Sequence, residues 1–128
     1  MTTVSGSGYN YPEPNYRANM SMNVNSSSPG TSWLRYYYTK NRLNLVSSSI
    51  TGVSGAGWTA TITGVGTVVK TTNGVTTTTP GCTFTARVTE GGPDAFGIEI
   101  RKPDGTPYYS DGLRTVSGGN YTTMCGLP

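Results

Sequence analysis

"DAFGIEIRKPDGTPYYSD", residues 94–111, is the stretch whose reading decides the fold. Phe96, Ile98 and Ile100 alternate with Gly97, Glu99 and Arg101, the period of two by which a strand buries one face. "KPDGT" follows, where Pro103 presets φ at one central turn position and Gly105 relieves strain on the far side. The chain then resumes as "PYYSDGLRTV". A strand, a tight turn and a second strand predict an antiparallel hairpin.

Upstream, the pattern repeats. In "VTTTTPGCTFTARVTE", Cys82, Phe84, Ala86 and Val88 point inward while Thr83, Thr85, Arg87 and Thr89 point outward. Asn73-Gly74 before it signals a two-residue hairpin turn, because both central residues must tolerate positive φ. In "GAGWTATITGVGTVVK", Trp58, Ala60 and Ile62 share a face, and Gly64 and Gly66 allow a bulge or a corner. Leu34, Tyr36 and Tyr38 alternate with Trp33, Arg35, Tyr37 and Thr39; Leu43, Leu45, Ile50 and Val53 continue the apolar pattern. The first strand is expected near Ala18, where Ala18, Met20, Met22 and Val24 alternate with Asn19, Ser21, Asn23 and Asn25. "NYTTMC" reads as the last. About eight short strands and no amphipathic helix predict an all-β fold, an antiparallel β-sandwich. Pro12 and Pro14 remove backbone donors, so residues 1–16 read as an extended N-terminal arm and residues 17–128 as a single β-sandwich domain.

Composition agrees with sheet. Of 128 residues, 34% are hydrophobic and 12% charged, with 18 Gly and 8 Pro to supply turns. The net charge of +3 is spread along the chain, without the concentrated basic stripe that nucleic acid recognition needs. No apolar run approaches the roughly twenty residues that cross a bilayer. The polar start Met-Thr-Thr does not read as a signal peptide, and Met1 reads as a start codon placed on a domain cut from a longer secreted protein. Cys82 and Cys125 are the two cysteines, and their even count in an extracellular composition predicts a disulfide. Closing so long a loop is worth roughly 4 kcal/mol. Buried free thiols are the alternative.

The 94–111 stretch resembles "D-x-F-R-I-x-I-W-D-x-x-T-G-x-x-V-Y-D", carried by the post-COAP-1-type β-module of secreted bacterial proteins. Asp94, Phe96, Ile98 and Ile100 match; Asp104-Gly105 falls near the Thr-Gly turn, and Tyr109 and Asp111 near the closing Tyr-Asp. "LNLVSSSITGV…WTATITGVGTV" is similar to the module's "F-x-S-x-x-Y-x-W" followed by "G-x-G-T", so the resemblance spans about residues 18–111. Gly97 and Arg101 depart from its Arg and Trp. The resemblance implies a secreted β-module, and it transfers no catalytic residue.

The residues supply little chemistry. Without His, no Ser-His-Asp or Cys-His arrangement forms. The acids are Glu13, Glu90, Asp94, Glu99, Asp104 and Asp111, mostly at turns, where Asp serves turn geometry. A carboxylate-pair glycosidase is the discounted reading. Glu90, Asp94, Asp104 and Asp111 raise a structural calcium ion as an alternative to ordinary turn acids. The expectation is therefore no enzyme and no cofactor. The exposed aromatics remain: Tyr9, Tyr11, Tyr16, Trp33, Tyr37, Tyr108 and Tyr109 are candidate contacts for a protein partner or for glycan. Their spread along the chain favours protein contact or self-association in a secreted or cell-surface structural, adhesive or assembly module. A carbohydrate-binding module using Trp33, Tyr37 or the Tyr108–Tyr109 pair is the alternative.

Overall fold

A computed structural model of the chain describes residues 2–91 and 94–125, the side chains of Met124 and Cys125 lying outside it. The fold is all-β, and among the described residues no helix is long and apolar enough to cross a membrane. Nine antiparallel strands form it: β1 (Thr2–Glu13), β2 (Tyr16–Asn25), β3 (Trp33–Tyr38), β4 (Leu43–Ala56), β5 (Thr59–Thr72), β6 (Val75–Thr89), β7 (Ala95–Arg101), β8 (Pro107–Thr115) and β9 (Gly118–Cys125).

The predicted alternation appears where the pattern is cleanest. Cys82, Phe84, Ala86 and Val88 on β6 and Phe96, Ile98 and Ile100 on β7 are buried, as are Leu34, Tyr36 and Tyr38 on β3. The Asn73-Gly74 turn joins β5 to β6 with φ of 52° and 78°. In the β7–β8 turn, the Gly105 amide donates to the Lys102 carbonyl at 2.8 Å, and Asp104 Oδ1 accepts from the Thr106 amide at 2.9 Å.

The two-sheet sandwich is replaced by one sheet curled into a half-barrel. β1 to β8 run as a meander, and β9 crosses to the far edge to pair with β1, giving the order β8-β7-β6-β5-β4-β3-β2-β1-β9. Aromatic contacts measure the curl. β3 and β7 are four steps apart in this order, about 19 Å in a flat sheet. Yet the Tyr36 and Phe96 rings lie 6.2 Å apart, and Phe96 lies 6.0 Å from Tyr121 on β9. Irregularities in register provide the bend, at Ser47/Ser49, Ile50/Gly52, Gly66/Val68 and Phe96/Ile98. The expected corner at Gly64 and Gly66 coincides with three of them. A Cβ on Gly64 would meet the Phe84 ring and the Ser49 carbonyl.

Residues 2–13 are no arm. They form β1, paired with β2 on one side and β9 on the other, with Val4 and Asn10 fully buried. The prolines misled because they lie beyond the part of the strand hydrogen-bonded on both sides. Pairing with β9 ends at Tyr9, and pairing with β2 is irregular between Asn10 and Glu13. Pro12 and Pro14 thus withhold donors the ladder does not need. Trp58 also departs from expectation: it sits in the β4–β5 turn, 69% exposed, rather than sharing the buried face of Ala60 and Ile62.

The half-barrel stops short of a closed barrel, and side chains finish the open seam. The Tyr121 and Thr123 amides of β9 donate to carboxylates of the β6–β7 connection, Asp94 Oδ2 at 2.9 Å and Glu90 Oε1 at 2.6 Å. The connection from β8 is pinned as well: the Val116 amide donates to the Asp94 carbonyl and the Ser117 amide to the Tyr9 carbonyl, each at 2.8 Å.

Candidate functional site

Strand register assembles the convex face of β1–β4. Tyr9 pairs with Asn19, Asn19 with Tyr37 and Tyr37 with Asn44, a transverse row of alternating phenols and amides. With strands about 4.8 Å apart, Tyr9 and Tyr37 stand roughly 10 Å from one another. The next row runs Ser7, Ser21, Arg35, Val46, and the next Ser5, Asn23, Trp33. Tyr11 extends the first row's edge, its ring 6.1 Å from that of Tyr9 in a T-shaped contact. Two arginines lie on these rings: the Arg17 guanidinium is 4.6 Å from the Tyr9 centroid, and that of Arg35 is 5.7 Å from Trp33. They are the cations of β1–β4, whose one acid, Glu13, ends β1 and pairs with Lys40 at 2.9 Å. A shallow groove of about 460 Å³ runs beside Tyr9, floored by Ser7, Asn19, Ser21 and Gly119.

The remaining candidates lie elsewhere. Tyr16 is at the β1–β2 hairpin, with Lys40 Nζ 5.6 Å from its ring. Tyr108 carries Lys70 and Lys102, each 5.6 Å from the ring. Tyr109 turns inward, its hydroxyl 2.7 Å from that of Tyr36. Burial, above all, pushes the Tyr109 phenol up to about 12.

Tyr109 also walls a second feature, a cleft of about 370 Å³ at one end of the half-barrel. Pro12 and Tyr38 complete its apolar walls, with the two tyrosine rings 5.4 Å apart. Glu13, Lys40, Asn41, Ser110 and Asp111 supply its polar groups. Each carboxylate is engaged: Glu13 accepts from the Tyr38 hydroxyl at 2.7 Å and pairs with Lys40 at 2.9 Å, and Asp111 accepts two bonds from Arg114. The hydrogen bonds from Lys40 and then Tyr38 hold the Glu13 carboxyl below its ordinary value. Glycoside hydrolysis needs one carboxyl raised so that it keeps its proton, the opposite tuning.

Glu90 and Asp94, weighed as calcium ligands, serve as the acceptors that cap β9, and no cluster of acids suited to a metal occurs among the described residues. The disulfide is also unsupported. Cys82 is a buried free thiol. It lies eight positions along β6 and its extension from Glu90, about 26 Å. Thr123, two positions before Cys125, is hydrogen-bonded to that same Glu90. Bridged cysteines need Cα atoms within about 7 Å. The Cys125 side chain itself is outside the described residues.

Sequence reasoning missed Arg17 and Arg35 as partners of the aromatics and Lys40 and Ser110 as cleft residues. Once β1 is read as an arm, nothing places Tyr9 beside Asn19. Comparison of the chain with family models, with curated proteins and with solved structures returns no match.

Proposed function

We propose that this chain is a non-catalytic adhesive or assembly module of the cell exterior that docks an acidic protein surface on the convex face of β1–β4. The observation that carries this reading is the Tyr9–Asn19–Tyr37–Asn44 row with Arg17 and Arg35 laid on the neighbouring rings. Tyr, Trp and Arg are the residues that concentrate binding energy in protein interfaces, while Ser and Asn provide adaptable hydrogen bonds around them. The arginines also occupy the approach to the Tyr9 and Trp33 rings, which disfavours stacking of sugar on those faces. Two cations on this face, with Glu13 of β1 already paired to Lys40, oppose a second copy of the same face and favour an acidic partner. The resemblance of residues 94–111 to a secreted module agrees with this setting.

The test uses immobilised poly-glutamate as a surrogate acidic surface, with a glycan array and light scattering alongside. Salt-sensitive binding to poly-glutamate that weakens about tenfold in Tyr37→Ala and in Arg35→Ala is the expected result. Binding indifferent to both substitutions overturns the assignment. Retention of a defined oligosaccharide, lost on Tyr37→Ala, transfers the face to glycan.

A further inference from the structure

The end cleft carries a separate inference, independent of the convex face. From its walls and its charge balance, we infer that it holds a neutral polyhydroxylated ligand, the size of one or two sugar rings.

Three observations lead there. The cleft's volume of about 370 Å³ falls at the small end of ligand pockets, which typically start near 300 Å³. Its walls are apolar and rigid. Tyr38 is fixed through its hydroxyl to Glu13, and Tyr109 is fixed through its own to Tyr36. These rings suit the C–H faces of a sugar. The same cleft holds hydroxyl-binding groups of both kinds. The Glu13 and Asp111 carboxylates retain accepting capacity, while Lys40, Asn41 and Ser110 can donate.

Charge decides against an ionic ligand. Glu13 is neutralised by Lys40 at 2.9 Å and Asp111 by Arg114 at 2.9 Å, so the paired charges cancel. A cationic ligand meets Lys40 and an anionic one meets two carboxylates. A neutral ligand can hydrogen-bond to both pairs without breaking either. Outside the cleft lining, the fully buried Asn10 donates through Nδ2 to the Arg114 carbonyl at 3.3 Å and ties β1 to β8.

The test is titration of the intact chain, followed by amide chemical shifts, with glucose, galactose, N-acetylglucosamine and cellobiose. Choline and glutamate serve as charged probes. At least one neutral sugar is expected to shift the Tyr38, Asn41 and Ser110 amides saturably, with choline and glutamate silent. Ser110→Trp, at an exposed position, fills the cleft and should abolish the response. Glu13→Gln keeps an acceptor for Tyr38 but weakens the polar set, and should lower affinity about tenfold. Tyr37→Ala, on the convex face, should leave the sugar response intact while weakening poly-glutamate binding, so the two sites fail separately. Silence toward all four sugars, binding that survives Ser110→Trp, or a stronger response to either charged probe overturns the inference.

Discussion

Removing the Asp94 carboxylate should loosen β9 from the β6–β7 connection across the seam, while its ladder with β1 remains. Asp94 Oδ2 accepts from the Tyr121 amide at 2.9 Å and Oδ1 from the Gly91 amide at 3.0 Å. Tyr121 is almost wholly buried, so in Asp94→Ala its amide loses its acceptor where water cannot easily replace it. A hydrogen bond to a charged group contributes about 1.5–3 kcal/mol, and the exposed Gly91 bond adds little. The expected cost is about 2–3 kcal/mol, a large share of the roughly 5–15 kcal/mol that holds a small domain folded. Asp94→Asn keeps an acceptor oxygen and should lose about half as much. Urea denaturation is the assay, with a lower midpoint and an unchanged slope expected. Hydrogen exchange at the Tyr121 amide should accelerate in the same variant. The freed β9 amides also form an open edge, so concentration-dependent association should appear in light scattering. An unchanged midpoint together with slow exchange at Tyr121 would refute the role given to Asp94.

Other predictions follow from the core and the seam. Phe96→Ala removes a ring packed between Tyr36 and Tyr121 and should cost about 3–5 kcal/mol in the same denaturation assay. Gly97→Ala should lower the melting temperature, because its new Cβ would lie 2.7 Å from the backbone of Gly112 and Leu113 on β8. At alkaline pH the fold should weaken: burial raises the Tyr109 phenol from 10.0 to about 12 and raises Tyr36, Tyr38 and Tyr121 still further. The folded state then holds protons the unfolded chain releases. The Tyr109 contribution is full below about pH 10 and is lost as pH rises toward 12, which phenolate absorbance and melting curves together will follow. Alkylation of the unfolded chain without reductant should add two labels, one each at Cys82 and Cys125; no labels would restore the disulfide.

The sequence made β6 and β7 legible because their large apolar side chains share one buried face, so the period of two runs from Cys82 to Val88 and again from Phe96 to Ile100. The turns at Asn73-Gly74 and Asp104-Gly105 were legible for a local reason, the positive φ they require. Whether one sheet or two encloses the core was not. Both architectures write the same alternation, and the difference lies in long-range contacts such as Phe96 with Tyr121. The proline pair hid β1, since Pro12 speaks only for its own missing amide and not for Val4 or Asn10 further back. The convex site vanished with β1: Tyr9 and Tyr37 become neighbours across Asn19 only when that strand has its place. Glu90 and Asp94 look like turn acids locally, and their capping role depends on β9, which arrives from the other edge of the sheet.

Pairing β1 with β9 brings the two ends of the described chain together, Thr2 opposite Cys125. This placement governs how the module bears load. Tension applied through both ends pulls apart the open end of an antiparallel ladder, so the eight residue pairs from Thr2–Cys125 to Tyr9–Gly118 separate in sequence rather than sharing the force. Unzipping loads one or two hydrogen bonds at a time, unlike a shear geometry that resists with the whole set. The Glu90 and Asp94 carboxylates meet β9 at Thr123 and Tyr121, within that unzipping path. They act as successive catches on a seam that opens from its end, and a domain so built yields stepwise under pull while the meander from β2 to β8 stays folded.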